Sequence, residues 1–343
     1  MVCGDPRSRP KGRMNVQPIK RASPAPLLAI VGALASFAPS HVAAQSYPSR
    51  PITLVVPYPA GGGNDVIARL VAAKMATNLG QPIVIENRGG AGSTIGTRDV
   101  ARGAQDGYTI LIATSSLAIN PSLYPDAGYD PKKDFAPIGL IATSPNFVLV
   151  HPSVPVHSVV ELIALAKKEP GKLDFASTGT GTSTHLAAAL FAKMADISLN
   201  SVPYKGVAPA ITDLMGGHVS LMFCPMASVV GLVQEGKLRA LAVTGAKRTA
   251  LFPDLPTVAE AGLPGYAAEL HYGLVAPAGT PPLIIATLNK ALNDALASDE
   301  VRKRLGIDGA ETLPGTPEAY AADIAGEEAK WSAIIAQSGV KAQ

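Results

Sequence analysis

The chain has 343 residues, 47% of them hydrophobic, enough for a sizeable core and more than one domain. Six of its 29 basic residues and one of its 26 acidic residues lie in residues 1–44, which leaves 23 and 25 in the remainder, a net charge of −2. The apparent basicity of the whole chain therefore belongs to its first residues, and the remainder carries no nucleic-acid footprint.

Residues 1–44 read as a secretory signal peptide. Lys11, Arg13, Lys20 and Arg21 precede an apolar run from Leu27 to Phe37, and Val42-Ala43-Ala44 puts small residues where a signal peptidase reads. The run is too short to span a membrane. Met14 is an alternative start. The expected mature protein is soluble and exported. Cys3 falls in the leader, so Cys224 is the one cysteine of the mature chain and no intramolecular disulfide is expected. In Val219–Cys224 it reads as a small residue at a strand end rather than a nucleophile.

From Ile52 the pattern alternates strand and helix. The apolar strand Ile52–Val56 runs through Pro57-Tyr58-Pro59-Ala60 into Gly61-Gly62-Gly63, then a helix with Val66, Ile67, Leu70, Val71 and Met75 at helical spacing. Asn64 and Asp65 stand where an N-cap belongs. Next come a strand Ile83–Glu86, the glycine-rich turn Arg88–Ser93, a helix through Ile95 and Val100, and the strand Tyr108–Ile112. That strand ends in Ala113–Ser116, with Asn120-Pro121 expected in a loop. Such continuous apolar strands suit a parallel sheet covered on both faces.

After the strand Phe147–Val150 the rhythm restarts. A helix Val159–Lys168 and a strand Leu173–Ser177 lead into the polar loop Thr178–Thr184, and His185 opens a helix bearing Leu186, Leu190, Phe191 and Met194. Thr182 or Ser183 is its expected cap. The strand Asn200–Tyr204, the turn Lys205-Gly206, a helix through Ile211 and Leu214, and the strand Val219–Phe223 follow. A helix near Val229–Gln234, the strand Leu238–Val243, a short helix Thr257–Ala261 and the strand Tyr272–Ala276 come next. Closing helices carry Tyr320, Ile324, Trp331 and Ile335. The expected fold class is α/β: two doubly wound domains joined by two hinge strands, Phe147–Val150 and Tyr272–Ala276, able to close on a ligand. The expected boundaries are residues 45–147 with 271–343 for one domain and 148–270 for the other.

Ligands of open α/β sheets bind beyond the carboxyl ends of the strands. Three stretches fall there. Tyr58, Ala60, Gly61, Gly62 and Asp65 are candidates in the first, and Ser115 and Asn120 in the second. The third offers Thr178, Gly179, Thr180, Gly181, Thr182, Ser183 and His185. All present neutral donors and helix N-termini, which favour anions; a tight turn without a ligand is the plainer alternative for each. Two such termini facing across a cleft would grip a small carboxylate with no fixed cation. No Gly-x-Ser-x-Gly elbow, His-Glu-x-x-His or Walker lysine is present, and His185 beside Ser183 lacks a third orienting group, so no enzyme activity, metal or cofactor is expected. Glu86 lies at about the spacing of a ribose-binding acid, but Val66 stands where a dinucleotide fingerprint needs a small residue.

The runs Tyr47–Ile52, Val56–Asp65, Glu86–Gly92, Val202–Gly206, Leu241–Thr244 and Ala276–Pro281 together resemble the Bug-type extracytoplasmic receptors of tripartite tricarboxylate transporter systems, over essentially the whole mature chain. The resemblance implies a two-domain periplasmic solute-binding protein of the Venus flytrap form (type II). It would take a small carboxylate, whether a di- or tricarboxylate, an acidic amino acid or an aromatic acid, for delivery to a membrane permease. A sensor subunit that presents the same ligand to a signalling partner, and an exported α/β enzyme, are the alternatives. Tyr204, Gly206 and His271 complete the implied ligand set. Three departures stand out: Thr180 replaces the usual Asn, Cys224-Pro225 falls near a usual Asp-Asn pair, and His271 replaces an aromatic. Cys224 and Pro225 would thus remove polar groups from one wall of the cleft, and His271 would add a titratable group or serve only as a hinge residue.

Overall fold

The computed structural model describes residues 47–338 apart from 125, 180, 181 and 308. The signal-peptide expectation, residues 1–44, lies outside the described residues. No helix among those described is long and apolar enough to cross a membrane.

The first block opens with β1 (Ile52–Val56), α1 (Gly63–Leu79), β2 (Ile83–Asn87), α2 (Thr94–Ala101), β3 (Thr109–Thr114) and α3 (Ser116–Leu123). β1 is parallel to both β2 and β3 and is buried at Ile52, Leu54, Val55 and Val56. Its continuous apolar run follows from its place between two neighbours and under helices on both faces. β2 lies at the sheet edge and alternates half-buried with exposed positions instead. α1 turns Ile67, Ala68, Val71, Ala72 and Met75 inward and stops at Gly80, which adopts the left-handed conformation (φ 68°) usual for a C-terminal glycine. Asn120-Pro121, expected in a loop, lies inside α3. Helix preferences disfavour proline there, and burial of Leu117, Ala118, Ile119 and Leu123 outweighs them.

The structure departs most from the sequence pattern at β4, which runs from Phe135 to Val150 rather than starting at Phe147. Pro137, Gly139 and Pro145 obscure it in the sequence, since proline and glycine normally interrupt a strand. Here they coincide with register shifts near Pro137–Gly139 and with the end of the first pairing. Residues Phe135–Pro145 pair antiparallel with β9 (Glu269–Pro277), and Asn146–Val150 pair with β7 (Leu221–Pro225) and β8 (Arg239–Val243). One strand therefore serves both sheets, and the switch falls between Pro145 and Asn146. The chain returns where the Ala268 amide donates to the Thr244 carbonyl, immediately before β9.

Between these crossings the second block contains α4 (Val159–Lys168), β5 (Asp174–Ser177), α5 (Ser183–Ala195), β6 (Asn200–Pro203), α6 (Val207–Met215), then β7, α7 (Val230–Gln234) and β8. β5 is parallel to β6 and β7, giving the order β4-β7-β5-β6. Thr257–Ala261 forms turns rather than a helix, held by reciprocal bonds between Thr257 and Glu260. Cys224 is wholly buried beside Phe147 and Leu149, so it belongs to the core and not to a cleft wall; burial pushes its thiol up to about 12.

The chain ends with α8 (Pro282–Leu296), α9 (Asp299–Ile307), β10 (Glu311–Thr312) and α10 (Pro317–Ser338). α8 and α9 pack on the first sheet through Ile285, Leu288, Leu292, Val301 and Leu305. α10 does more than return to that block. Tyr320 and Ile324 join the first core, whereas Trp331, Ile334 and Ile335 join the second beside Leu186 and Phe191. A helix of this length reaches about 33 Å, enough to buttress both sheets. The result is two lobes of mixed α/β build joined by hinge strands.

Candidate ligand-binding site

Four helices begin on one cleft of about 450 Å³. Gly63 and Asn64 open α1, Ser115 and Ser116 open α3, Thr182 and Ser183 open α5, and Gly206 and Val207 open α6; all of them line it. First-turn N–H groups have no partner inside their own helix, and each helix start carries roughly half a positive charge. Among the described lining residues none bears a charged side chain. The donors that the described lining offers an anion are therefore backbone N–H groups and neutral side chains, and the cleft's size suits a small molecule.

The starts of these helices are braced from behind. Gly62, not Asn64 or Asp65, occupies the N-cap position of α1, and it makes no side-chain cap. Asp65 sits inside the first turn, buried, and its carboxylate accepts from the Gly61 amide (2.8 Å), Arg69 Nε (2.9 Å) and Asn87 Nδ2 (2.9 Å). The Arg69 hydrogen bond, foremost, holds its pKa down at about 2. Asp65 thus clasps the Pro/Gly loop and is not free to meet an anion. The Tyr58 hydroxyl shares a 2.6 Å bond with Thr114 Oγ1 and lies 3.2 Å from Ser116 Oγ, tying the ends of β1 and β3 together. Asn120 Nδ2 donates to the Gly92 carbonyl at 2.7 Å and lies 3.3 Å from both Ser93 Oγ and Thr94 Oγ1. It thereby pins a turn in which Ala91, Gly92 and Ser93 all have positive φ. At Gly92 a Cβ would also come within 3.0 Å of the Tyr124 hydroxyl, so glycine is the residue that fits.

In the other lobe Thr182 caps α5 by accepting from the His185 amide, as expected, and its own hydroxyl donates to the Gly179 carbonyl at 2.8 Å. Thr178 and Thr184 share a 2.7 Å bond, completing a hydroxyl cluster behind the helix start. The Tyr204 hydroxyl donates to Asp213 at 2.7 Å, which anchors the turn before α6.

Of the residues expected from sequence, Tyr58, Ser115, Asn120, Thr178, Thr182, Ser183 and Gly206 line the cleft. Thr180 and Gly181 lie outside the described residues. Ala60, Gly61 and Gly62 are exposed in the turn ahead of α1, and Asp65 and Gly179 stand behind the lining as loop partners. Tyr204 supports α6. His185 turns away and stacks on Phe175 with ring centroids 6.0 Å apart; burial lowers its pKa.

His271 differs most from expectation. Leu270 and Tyr272, its neighbours on β9, line the cleft, so strand alternation sends His271 to the opposite face. There its Nδ1 meets Asp323 at 3.0 Å in a separate pocket with Glu269 and Glu311. Burial works against its charged form, but the Asp323 hydrogen bond and the charges of Glu327 and Asp323 outweigh that and raise its pKa. Leu270 and Tyr272 were within reach of the sequence once the strand was recognised, by period-2 alternation. Thr114 and Ser116, Pro225, Ala227 and Ser228 were within reach of the strand-end rule.

This geometry has known counterparts. The family model described as tripartite tricarboxylate transporter family receptor (TctC) matches residues 67–340. The chain belongs to that family. Protein BugT of Bordetella pertussis (strain Tohama I) is 38% identical over 319 residues, covering 92% of this chain and 98% of BugT. The solved periplasmic binding protein BugD superposes with a TM-score of 0.74 at 38% identity, covering 87% of this chain and 100% of BugD. The R. palustris protein Rpa4515, solved with adipate, superposes with a TM-score of 0.76 at 38% identity, again over 87% of this chain and 100% of that one. TctC receptors are solute-binding proteins of the periplasmic type, not enzymes. Among the described residues no group of three or more His, Cys, Asp or Glu is arranged to hold a metal.

Proposed function

We propose that this chain is an extracytoplasmic receptor that captures a small carboxylate between its lobes and delivers it, as a monomer, to the membrane permease of a tripartite tricarboxylate transporter. Residues 1–44 serve as the export signal. The lobes are taken to divide at the sheet crossings, between Pro145 and Asn146 and before Glu269, two residues ahead of the 147/148 and 270/271 boundaries expected from sequence, with α10 packing on both. The observation that carries the reading is the convergence of four helix starts on a cleft whose described lining holds no charged side chain. Backbone N–H groups satisfy a carboxylate without a counter-ion, and the helix dipoles add to the attraction. Tyr58, Ser115, Asn120, Thr178, Thr182, Ser183 and Gly206 form the grip. The adipate held by Rpa4515 supports the same ligand chemistry.

A thermal-shift screen tests it. A ligand at 100 times its dissociation constant adds about 2.7 kcal/mol to folding stability. Di- and monocarboxylates should raise the melting temperature, and the matching neutral amides should not. A screen in which amides stabilise as well as acids, or in which no acid stabilises, defeats the proposal. Co-purification with permease subunits tests delivery.

A further inference from the structure

The carboxylate reading above leaves the rest of the ligand open, and the cleft narrows it. Its lining has two chemically different zones. The helix starts lie at the ends of β1, β3, β5 and β6. Next to β4, where the chain passes between sheets, the lining turns apolar. Leu270 pairs with Ser144 and Pro225 with Asn146, so the two flank the crossing point. Tyr272 and Ala227 extend this surface, with Ser228 the hydroxyl at its margin, and Pro225 has no N–H to offer.

Acids of the surrounding loops are committed elsewhere. Asp65 accepts from Gly61, Arg69 and Asn87, and Asp213 accepts from Tyr204. Glu269 and Asp323 line the pocket behind β9 with His271. Thr180 and Gly181 are uncharged by sequence. An ammonium group entering the cleft would meet four positive helix ends and no described anionic partner, and a desolvated charge without a partner is costly. A ligand rich in hydroxyls would lose water against Leu270 and Pro225 without replacement bonds.

We propose that the ligand is a small carboxylic acid with a hydrocarbon body, aromatic or alkyl, and no ammonium group. Its carboxylate sits at the helix starts and its hydrocarbon part lies against Leu270, Tyr272 and Pro225.

Calorimetric titration with matched pairs tests this: phenylacetate against phenylglycine, hexanoate against norleucine, with citrate and adipate alongside. The acids should bind about tenfold or more tighter than their amino counterparts, and phenylacetate tighter than citrate. An amino acid that matches its plain acid, or citrate as the tighter ligand, overturns the assignment while leaving carboxylate capture intact. Failure of every carboxylate strikes the parent reading instead. The variant A227D supplies an acceptor in the apolar wall. It should weaken phenylacetate more than phenylglycine, so that the phenylacetate-to-phenylglycine affinity ratio falls by about tenfold or more. An unchanged ratio also overturns the assignment.

Discussion

Replacing Asp65 with Asn tests whether charge, rather than shape, holds the loop ahead of α1. The carboxylate accepts three hydrogen bonds from Gly61, Arg69 and Asn87. Its pKa is held at about 2 against an ordinary 3.8, chiefly by the Arg69 hydrogen bond. A shift of that size would correspond to roughly 2.5 kcal/mol if none of it were screened. Arg69 is 53% exposed, so solvent reduces the contribution to about 1 kcal/mol. Because the folded pKa is depressed, this stability is fully present above the ordinary pKa and is lost as pH falls through the folded value. Urea denaturation of the wild type and D65N should therefore show a gap of about 1 kcal/mol at pH 7, shrinking by about half at pH 3. Carboxylates elsewhere titrate alike in both proteins and cancel in the difference. A gap that stays constant from pH 7 to pH 3 refutes the charged clasp.

Three further outcomes follow from the same structure. T182A removes the cap of α5 and should cost about 1 kcal/mol in denaturant melts and weaken carboxylate affinity, with T182S restoring most of both. The pKa of His271 is raised, so its pairing with Asp323 stabilises below the ordinary histidine pKa and fades as pH rises through the folded value. The stability gap between wild type and H271Q should accordingly be wider at pH 6 than at pH 9, with carboxylate affinity by calorimetry unchanged because the side chain faces away from the cleft. W331A empties a site that is 1% exposed in the second core and should cost about 3–5 kcal/mol in chemical denaturation.

Much of the fold was legible because its parallel strands are written as unbroken apolar runs. β1 ends at a Pro/Gly turn and β3 and β5 at Ser/Thr turns, and those turns lead into helix starts, so the site could be located from strand ends alone. Tyr58, Ser115, Thr178 and Ser183 were recoverable that way. β4 was not, since Pro137 and Pro145 conceal a strand whose register shifts only pairing with β9 makes tolerable. Asp65 looked like a cap or a ligand group because local sequence does not show Arg69 and Asn87 converging on it.

Residue spacing and local backbone preference were enough to read the α/β alternation, the polarity of the loops and the lack of known catalytic patterns. Which face of β9 meets the cleft, how β4 serves two sheets, and the meeting of four helix starts at one place all depend on contacts between distant segments. A one-residue change of register exchanges Leu270 and Tyr272 for His271, and only pairing with distant strands sets that register.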